Sequence, residues 1–250
     1  MTVRAITIDF WGTLLFDPPS SDNRYKTRRM KDFETILGGA GVRTSATALD
    51  RAYDESASHL GRIWAKHRDV PVEDHVRAIV GGIDRALATR LPGDVLAALV
   101  DAYARPILMV PPAVDDGALK ALRTLRDLGY TLAVVSNTMR TPGVTLRRVL
   151  ERYGLLGCFA HTAFSDETRV RKPDPAIFLG ALRALGAEPA RAIHVGDDAI
   201  LDVEGARAAG MRVVQVTDAS LKALGARRPD AVVSSLAALP AAIVRLDPVP

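Results

Sequence analysis

The stretch that decides the fold reads Arg4-Ala-Ile-Thr-Ile-Asp-Phe-Trp-Gly-Thr-Leu-Leu15. Its apolar beginning predicts a short buried strand from Val3 to Ile8, which ends by presenting one carboxylate, Asp9. Gly12 follows and predicts a turn that brings backbone groups close to whatever Asp9 faces. Ligands of open α/β sheets bind just beyond the carboxyl ends of the strands. Asp9 therefore stands where a nucleophile or a metal ligand is expected.

The composition is that of an ordinary globular chain. Of the 250 residues, 48% are hydrophobic and 25% are charged, which suits one large domain or one domain with an insert. The single cysteine, Cys158, excludes an internal disulfide and a cysteine-based zinc site. We see no signal peptide, and no apolar run approaches the ~18 residues that span a bilayer. We expect a soluble cytoplasmic protein that does not contact a membrane.

The charge is mildly basic, with a net charge of +4. Basic residues are spread along the chain apart from one cluster, which comprises Arg24, Lys26, Arg28, Arg29 and Lys31. This cluster is either the solvated face of a helix or a positive field that attracts an anionic substrate. Aromatic residues make up 5% of the chain and do not interleave with the basic ones, so nucleic acid is not an expected partner.

After Leu15 the pattern changes from strand to loop and then to helix. Proline and serine mark residues 17–22 as a loop, and apolar residues recur at helical spacing from Asn23 to about Ala104. Among the helices expected there are Thr47–Lys66, Val72–Leu87 and Asp94–Tyr103. We predict a helical cap domain over residues 17–110, with linkers near residues 16–21 and 107–114. The core domain would then consist of residues 1–16 and 111–250.

From Pro111 onward, predicted strands alternate with single helices. The expected strands are Thr131–Val135, Cys158–Phe164, Ala192–Val195, Arg212–Val216 and Ala231–Val233. The first of these is a continuous apolar run, which is typical of a strand covered on both faces. Strands alternating with helices predict an α/β fold with a doubly wound parallel sheet.

Polar residues follow four of the predicted strands. They are Asp9, then Ser136 with Asn137, then the loop that holds Lys172, and finally Asp197 with Asp198 and Asp202. Because the carboxyl ends of parallel strands meet at one edge of a sheet, these groups should converge. Several carboxylates suit an oxygen-ligated divalent cation such as Mg²⁺. A hydroxyl, an amide and a lysine suit a phosphate and the charge that develops in phosphoryl transfer.

Four motifs in this order resemble those of the haloacid dehalogenase (HAD) superfamily. They are Asp9-Phe-Trp-Gly-Thr13, Val135-Ser-Asn137, Arg171-Lys-Pro-Asp-Pro175 and Val195-Gly-Asp-Asp-Ala-Ile-Leu-Asp202. The chain is most similar to the branch whose helical cap is inserted after the first motif. The resemblance implies a HAD-like, Rossmannoid core and a hydrolase, most often a Mg²⁺-dependent phosphatase that acts on a phosphorylated small molecule.

The resemblance also assigns roles to individual residues. Asp9 would be the nucleophile that forms an aspartyl-phosphate, and Lys172 would stabilise Asp9 and the transferring group. The phosphate would be held by Thr13, Ser136, Asn137 and Lys172. The Mg²⁺ would be held by Asp9, the backbone carbonyl of Trp11, Asp197 and Asp202. Asp202 is either a metal ligand or the residue that positions Lys172, and Asp198 either assists through a water or is a charge at a helix N-terminus.

Trp11 departs from the phosphatase pattern. The residue two positions after the nucleophile is usually a second aspartate that protonates the leaving group. An indole N–H cannot act as a general acid or base, and such help is worth about 10²–10⁴-fold in rate. A substitute acid could come from the cap, where His59 and His67 are the residues to test, or from the substrate. Alternatively, the leaving group departs unprotonated, as from an acyl phosphate.

This departure leaves other functions open. Dehalogenases of the superfamily have an aromatic residue at that position and need no metal, and Arg28 or Arg29 could bind the halide. A phosphonatase-like enzyme would instead need a cap lysine such as Lys26, Lys31 or Lys66. The third alternative is a catalytically weak binding protein with this fold. Against the dehalogenase, the acidic Gly196-Asp-Asp motif is the metal-binding form. The sequence does not decide between a monomer and a homodimer.

Overall fold

The computed structural model describes residues 4–18, 20–217 and 227–247. The first part contains β1 (Ala5–Ile8), β2 (Leu15–Phe16), α1 (Ser21–Gly39), α2 (Ala46–Trp64), α3 (Val72–Ile83), α4 (Leu87–Arg90), α5 (Gly93–Ala104) and α6 (Pro106–Met109). The middle part contains β3 (Ala113–Val114), α7 (Ala118–Asp127), β4 (Thr131–Ser136), α8 (Gly143–Arg152), β5 (His161–Phe164), α9 (Ser165–Thr168) and α10 (Pro175–Ala184). The last part contains β6 (Ala192–Gly196), a π-helical segment (Ala199–Glu204), α11 (Gly205–Ala208), β7 (Arg212–Val216), β8 (Ala231–Val233) and α12 (Leu239–Leu246).

Within the described ranges, six strands form one parallel sheet in the order β5-β4-β1-β6-β7-β8. The first strand lies at the centre, where Ile8 is in register with Val134 of β4 and Val195 of β6. Apolar side chains that alternate along the strands pack into two separate clusters, one on each face of the sheet. Helices cover both clusters, so the predicted doubly wound α/β fold is confirmed.

The first cluster contains Ile6 and Ile8 of β1 together with Leu122 of α7, Leu146 of α8 and Ile243 of α12. The second contains Ala5 of β1, Ile177 and Phe178 of α10, and Ala206 of α11. Two-sided burial explains why β1 and β4 read as continuous apolar runs rather than as alternating patterns. It also leaves the carboxyl ends of these strands as the place where polar side chains gather.

A layer of helices is inserted between β2 and β3. Helices α1, α2, α3 and α5 share an apolar cluster of their own, which contains Phe33, Leu49, Val76, Leu99 and Tyr103. We propose on this basis that residues 17–110 form the cap domain and that residues 1–16 and 111–250 form the core domain. No described helix is both long enough and apolar enough to cross a membrane.

The structure differs from the predicted elements in several places. Strands β2 and β3 pair antiparallel, with Leu15 opposite Val114, at the start of the first predicted linker and the end of the second. Two residues are too few to show an alternating pattern. The helix expected from Val72 to Leu87 ends at Ile83. Asp84 has an extended backbone, and its carboxylate accepts the backbone N–H of Ala86 at 2.9 Å, which replaces a helical hydrogen bond.

Leu122 and Leu128 provide a matched test of the core that supports the sheet. Leu122 is fully buried, whereas Leu128 at the end of the same helix is 51% exposed. Leu122→Ala should lower the free energy of unfolding by about 2–5 kcal/mol because it leaves a cavity. Leu128→Ala should change it by less than about 0.5 kcal/mol. Urea denaturation followed by circular dichroism measures both, and equal effects would contradict this packing.

Candidate active site

Asp9 begins the site at the carboxyl end of β1. Its backbone N–H donates to the carbonyl of Val195 at 2.9 Å, which continues the pairing with β6 and fixes the direction of the side chain. Carboxylate oxygen Oδ1 accepts the backbone N–H of Phe10 at 2.7 Å and lies 2.7 Å from the ammonium of Lys172. Oxygen Oδ2 has no hydrogen-bond donor in the described part of the chain, so it is free to attack an electrophile.

Lys172 lies buried between two carboxylates. Its Nζ is 2.7 Å from Asp9 and 2.6 Å from Asp202. Although burial lowers the pKa of Lys172, the two carboxylates raise it above its ordinary value, so the side chain stays charged. Asn137 holds the backbone of Lys172 on both sides: it accepts the Lys172 N–H at 2.8 Å and donates to the Lys172 carbonyl at 3.0 Å.

Asp202 is fully buried and accepts three hydrogen bonds. Besides Lys172, it accepts Nε2 of His194 at 2.9 Å and the backbone N–H of Asp198 at 3.0 Å. Burial raises the pKa of Asp202, but Lys172 and His194 lower it well below its usual range. Burial lowers the pKa of His194, so its ring is neutral. Because Nε2 donates to a carboxylate, Nδ1 accepts the hydroxyl of Thr7 at 2.8 Å.

Asp197 completes an acidic cluster. One oxygen each of Asp9, Asp197 and Asp202 lies within 4.8 Å of the others. Burial and the neighbouring Asp202 raise the pKa of Asp197 to about 6. Burial raises the pKa of Asp9 to about 7, even though Lys172 lowers it. One lysine therefore leaves the three carboxylates under-neutralised, and their oxygen donors are of the kind that a divalent cation prefers.

Gly12 allows the first motif to approach Asp197. Its φ is +74°, and a Cβ at this position would lie 2.5 Å from Oδ2 of Asp197. The next residue, Thr13, donates its hydroxyl to Oδ1 of Asp197 at 3.1 Å. On the other side, Gln215 of β7 donates to the Asp197 carbonyl at 2.9 Å. The turn after β1 is thus shaped to place a backbone segment against the acidic cluster.

A cavity of about 600 Å³ opens beside this site. Trp11 and Gly12 line it from the side of the sheet, and Tyr25, Arg29 and Tyr53 line it from the helical layer. Its volume falls in the range of small-molecule pockets, about 300–1,000 Å³. The cavity thus joins the turn that follows Asp9 to the inserted helices.

Comparison with known proteins identifies the family. The haloacid dehalogenase-like hydrolase family matches residues 3–210, which include all four motifs. The chain belongs to this family. The resemblance seen in the motifs is thereby confirmed, and the protein is a hydrolase.

Two relatives cover nearly all of this hydrolase. A glyceraldehyde 3-phosphate phosphatase of Methanopyrus kandleri is 28% identical over 92% of this chain and 91% of its own. A phosphoglycolate phosphatase of Mesorhizobium japonicum is 29% identical over 94% of this chain and 92% of its own. The structure of a 2-haloacid dehalogenase from Pseudomonas syringae pv. Tomato DC3000 matches 98% of this chain and 100% of its own, with a TM-score of 0.70 and 21% identity. That likeness shows a shared fold.

The structure brings the residues named from the sequence to one sheet edge, with some unexpected partners. Ser136 is buried, with Oγ 3.5 Å from the carbonyl of Asn137, and the amide of Asn137 is engaged with the backbone of Lys172. That Ser136 and Asn137 donate hydrogen bonds to a phosphate stays a prediction. Asp198 is a helix cap: its Oδ1 accepts the N–H groups of Ile200 and Leu201 at 2.7 Å each.

Trp11 is half-buried, and its ring packs edge-on against Phe10 at 4.8 Å. Its indole N–H is buried and has no hydrogen-bond partner among the described residues. His59 and His67 do not line the cavity described above. His59 lines two other surface pockets instead, and His67 is exposed. The structure therefore places neither histidine where a leaving group would need a proton.

Asp69 is a residue whose importance the sequence pattern did not reveal. It is buried between the helical layer and the sheet, and its Oδ2 lies 2.6 Å from Nη1 of Arg171. The same oxygen accepts the hydroxyls of Ser165 at 2.5 Å and Thr138 at 3.3 Å. Oδ1 accepts the indole N–H of Trp64 at 2.9 Å. One carboxylate thus connects the helical layer to the segments beside Asn137 and Lys172.

Backbone hydrogen bonds reinforce the same junction. The N–H of Asp69 donates to the carbonyl of Arg169 at 3.2 Å, and the N–H of Arg171 donates to the carbonyl of His67 at 3.0 Å. The Arg171 guanidinium also lies 4.4 Å from the centre of the Trp64 ring. Since Arg171 directly precedes Lys172, the helical layer helps to hold the loop that carries the buried lysine.

Asp69→Asn tests this junction. The change leaves the buried Arg171 without its counter-charge and should lower the free energy of unfolding by about 3–5 kcal/mol. Glu73→Gln breaks an exposed pair with Arg77 in the same layer and should cost less than about 1 kcal/mol. Chemical denaturation of both variants measures the difference. A loss for Asp69→Asn no larger than that for Glu73→Gln would contradict the assignment.

Proposed function

We propose that this hydrolase is a Mg²⁺-dependent phosphatase that acts on a phosphorylated small molecule through an aspartyl-phosphate on Asp9. The observation that carries the proposal is the buried Lys172 held between Asp9 and Asp202, next to an attacking oxygen that is free. Two relatives of nearly full length are phosphatases of glyceraldehyde 3-phosphate and phosphoglycolate, which supports a substrate of this kind.

The chemistry begins at Oδ2 of Asp9. This oxygen attacks phosphorus as the bond from phosphorus to the leaving oxygen breaks, and the phosphoryl group passes to Asp9. Water then releases phosphate from the aspartyl-phosphate and regenerates the carboxylate. Asp9 must be ionised to attack, and Lys172 favours that form against the effect of burial. Lys172 also neutralises charge on the phosphoryl group as it transfers.

We propose that Thr13, Ser136, Asn137 and Lys172 bind the phosphate. The Thr13 hydroxyl lies at the acidic cluster, where it donates to Asp197 and would have to turn to a phosphate. The Ser136 hydroxyl lies at the carboxyl end of β4, and Lys172 offers the positive charge. Asn137 also positions Lys172, as its two hydrogen bonds to the Lys172 backbone indicate. By fixing that backbone it keeps the ammonium in place, which reduces the reorganisation needed during transfer.

The acidic cluster fits a divalent cation, and we propose Mg²⁺ held by Asp9, Asp197 and the backbone carbonyl of Trp11. Burial, with a smaller contribution from the neighbouring carboxylates, raises the pKa values of Asp9 and Asp197. A bound cation would favour the ionised carboxylates, which supports the proposal. A bound cation would supply charge neutralisation for the phosphoryl group. Both oxygens of Asp202 already accept hydrogen bonds, so we favour its positioning of Lys172 over direct ligation.

Trp11 cannot deliver the proton that an ester leaving group requires. Neither His59 nor His67 is placed to replace it, since neither lines the cavity. We therefore expect turnover to depend steeply on the leaving group. Acyl phosphates, whose leaving group departs unprotonated, should react faster than alkyl phosphates.

Phosphate release from acyl phosphates and phosphate esters, measured with Mg²⁺ and with EDTA, tests the proposal. We expect release that requires the metal and falls on the order of 10³-fold or more in Asp9→Asn, because the nucleophile is lost. Asp127→Asn changes an exposed aspartate at the end of α7 and should leave the rate unchanged. Undiminished release by Asp9→Asn, or release insensitive to EDTA, would contradict the mechanism.

The position of Trp11 also favours a second candidate, a metal-independent 2-haloacid dehalogenase, since the resemblance to the superfamily implies an aromatic residue there in its dehalogenases. Asp9 would then attack carbon and release a halide. Halide release from 2-chloropropionate that persists in EDTA, together with no phosphate release, would favour this function. The three neighbouring carboxylates oppose it, because a metal-free site has no need for that charge.

A further inference from the structure

Two arginines lie together on the wall of the cavity that Trp11 and Gly12 share with the helical layer. Arg29 comes from α1, and Arg140 comes from the segment between β4 and α8. Nη2 of Arg29 donates to the backbone carbonyl of Arg140 at 3.2 Å. The Arg29 guanidinium lies 4.5 Å from the centre of the Tyr103 ring, and that of Arg140 lies 4.0 Å from the centre of the Tyr53 ring.

The described hydrogen-bond partners of both guanidiniums are neutral. Arg29 donates to the carbonyl of Tyr103 at 2.7 Å and to the hydroxyl of Tyr53 at 3.1 Å. Arg140 donates to the hydroxyls of Ser56 at 3.2 Å and Tyr103 at 3.1 Å. No carboxylate of the described residues lies within 4 Å of either guanidinium. The hydrogen bonds are made, but the positive charges are not balanced.

Other cations around the cavity do have carboxylate partners. Lys26 lies 2.8 Å from Asp54, and both line the cavity. Arg171, which packs on the cavity residue Trp64, lies 2.6 Å from Asp69. Asp17 also lines the cavity, yet burial and the nearby Asp22 raise its pKa to about 6. Among the described residues, no ion pair within 4 Å joins Asp17 to Arg29 or Arg140. Asp17 therefore does not serve as the missing counter-charge.

The two arginines lie in a largely desolvated environment. Arg29 is 2% exposed, and a buried cation without an anion is costly to desolvate. Burial is the main cause that lowers the pKa of the neighbouring His75 to about 4; Asp69 opposes this, and Arg140, Arg29 and Arg171 add to it. An anion that enters the cavity would therefore gain attraction from two cations already held in place.

We propose that Arg29 and Arg140 bind a carboxylate of the substrate, so that the substrates are small phosphorylated carboxylic acids. This inference rests on the proposed phosphatase function. Nε–H of Arg140 has no acceptor among the described residues, which leaves an edge of its planar guanidinium for a carboxylate. The acids Asp17, Asp22 and Asp54 line the same cavity. They would repel the dianion of a second phosphate more strongly than the single charge of a carboxylate.

Calorimetric binding to Asp9→Asn tests the subsite without turnover. The two ligands are 3-phosphoglycerate and glycerol 3-phosphate, which differ in having a carboxylate or a hydroxymethyl group at the same carbon. We expect 3-phosphoglycerate to bind at least about 10-fold more tightly, because a hydrogen bond from a guanidinium to a carboxylate is stronger than one to a neutral hydroxyl. Adding Arg140→Gln should abolish this preference, whereas adding Arg51→Gln, an exposed arginine of α2, should preserve it.

Equal affinities for the two ligands, or a preference that survives Arg140→Gln, would overturn the inference. Circular dichroism establishes that each variant is folded. Should Arg140→Gln not fold, Arg140→Lys keeps the charge without the planar fork and should reduce the preference by several-fold. Phosphate release by the chain with Asp9 intact separates the two proposals. If the enzyme releases phosphate from neither ligand and from no acyl phosphate, the proposed phosphatase function is overturned. If it releases phosphate from both ligands without preference, only the proposed carboxylate subsite is overturned.

Discussion

The buried ammonium of Lys172 between Asp9 and Asp202 is the interaction on which the rest of the site depends. An isolated charge in this position would be costly, and two carboxylates at 2.7 and 2.6 Å offset that cost. The arrangement leaves Asp202 ionised and fully hydrogen-bonded, while Asp9 keeps one oxygen free. The same lysine that makes burial of the carboxylates tolerable is thus placed to stabilise charge on a transferring group.

The parallel sheet supplies the support for this interaction. Thr7 and His194 are register partners on β1 and β6, and they extend the hydrogen-bonded chain from Asp202 back into the sheet. Gly196, like Gly12, allows the backbone to approach a buried carboxylate, because a Cβ at Gly196 would lie 2.3 Å from Cγ of Asp202. From the other side, Asn137 and the Asp69–Arg171 pair hold the loop of Lys172. The buried charges are therefore positioned by backbone and side chains from several segments.

Much of this could be predicted from the sequence, because topology alone brings strand ends together. Asp9, Lys172, Asp197 and Asp202 each follow a recognisable strand or loop signal, and a parallel sheet must place them at one edge. The sequence places His194 inside a predicted buried strand, but it does not reveal that the ring donates to Asp202. Asp69 has no such signal, since the partners of its Oδ2 lie about 70 to 100 positions away. Arg29 and Arg140 meet for the same reason, through tertiary packing that no local pattern encodes.

The most direct test is whether Asp202 acts through Lys172. The measurement is a double-mutant cycle on kcat/KM for an acyl phosphate, with Lys172→Met, Asp202→Asn and the combined variant. If Asp202 positions the lysine, the combined variant should lose no more than about 3-fold beyond Lys172→Met alone, because residues that act as a unit are not additive. If the two losses multiply, Asp202 has an independent role, and the buried lysine is not the interaction on which the site depends.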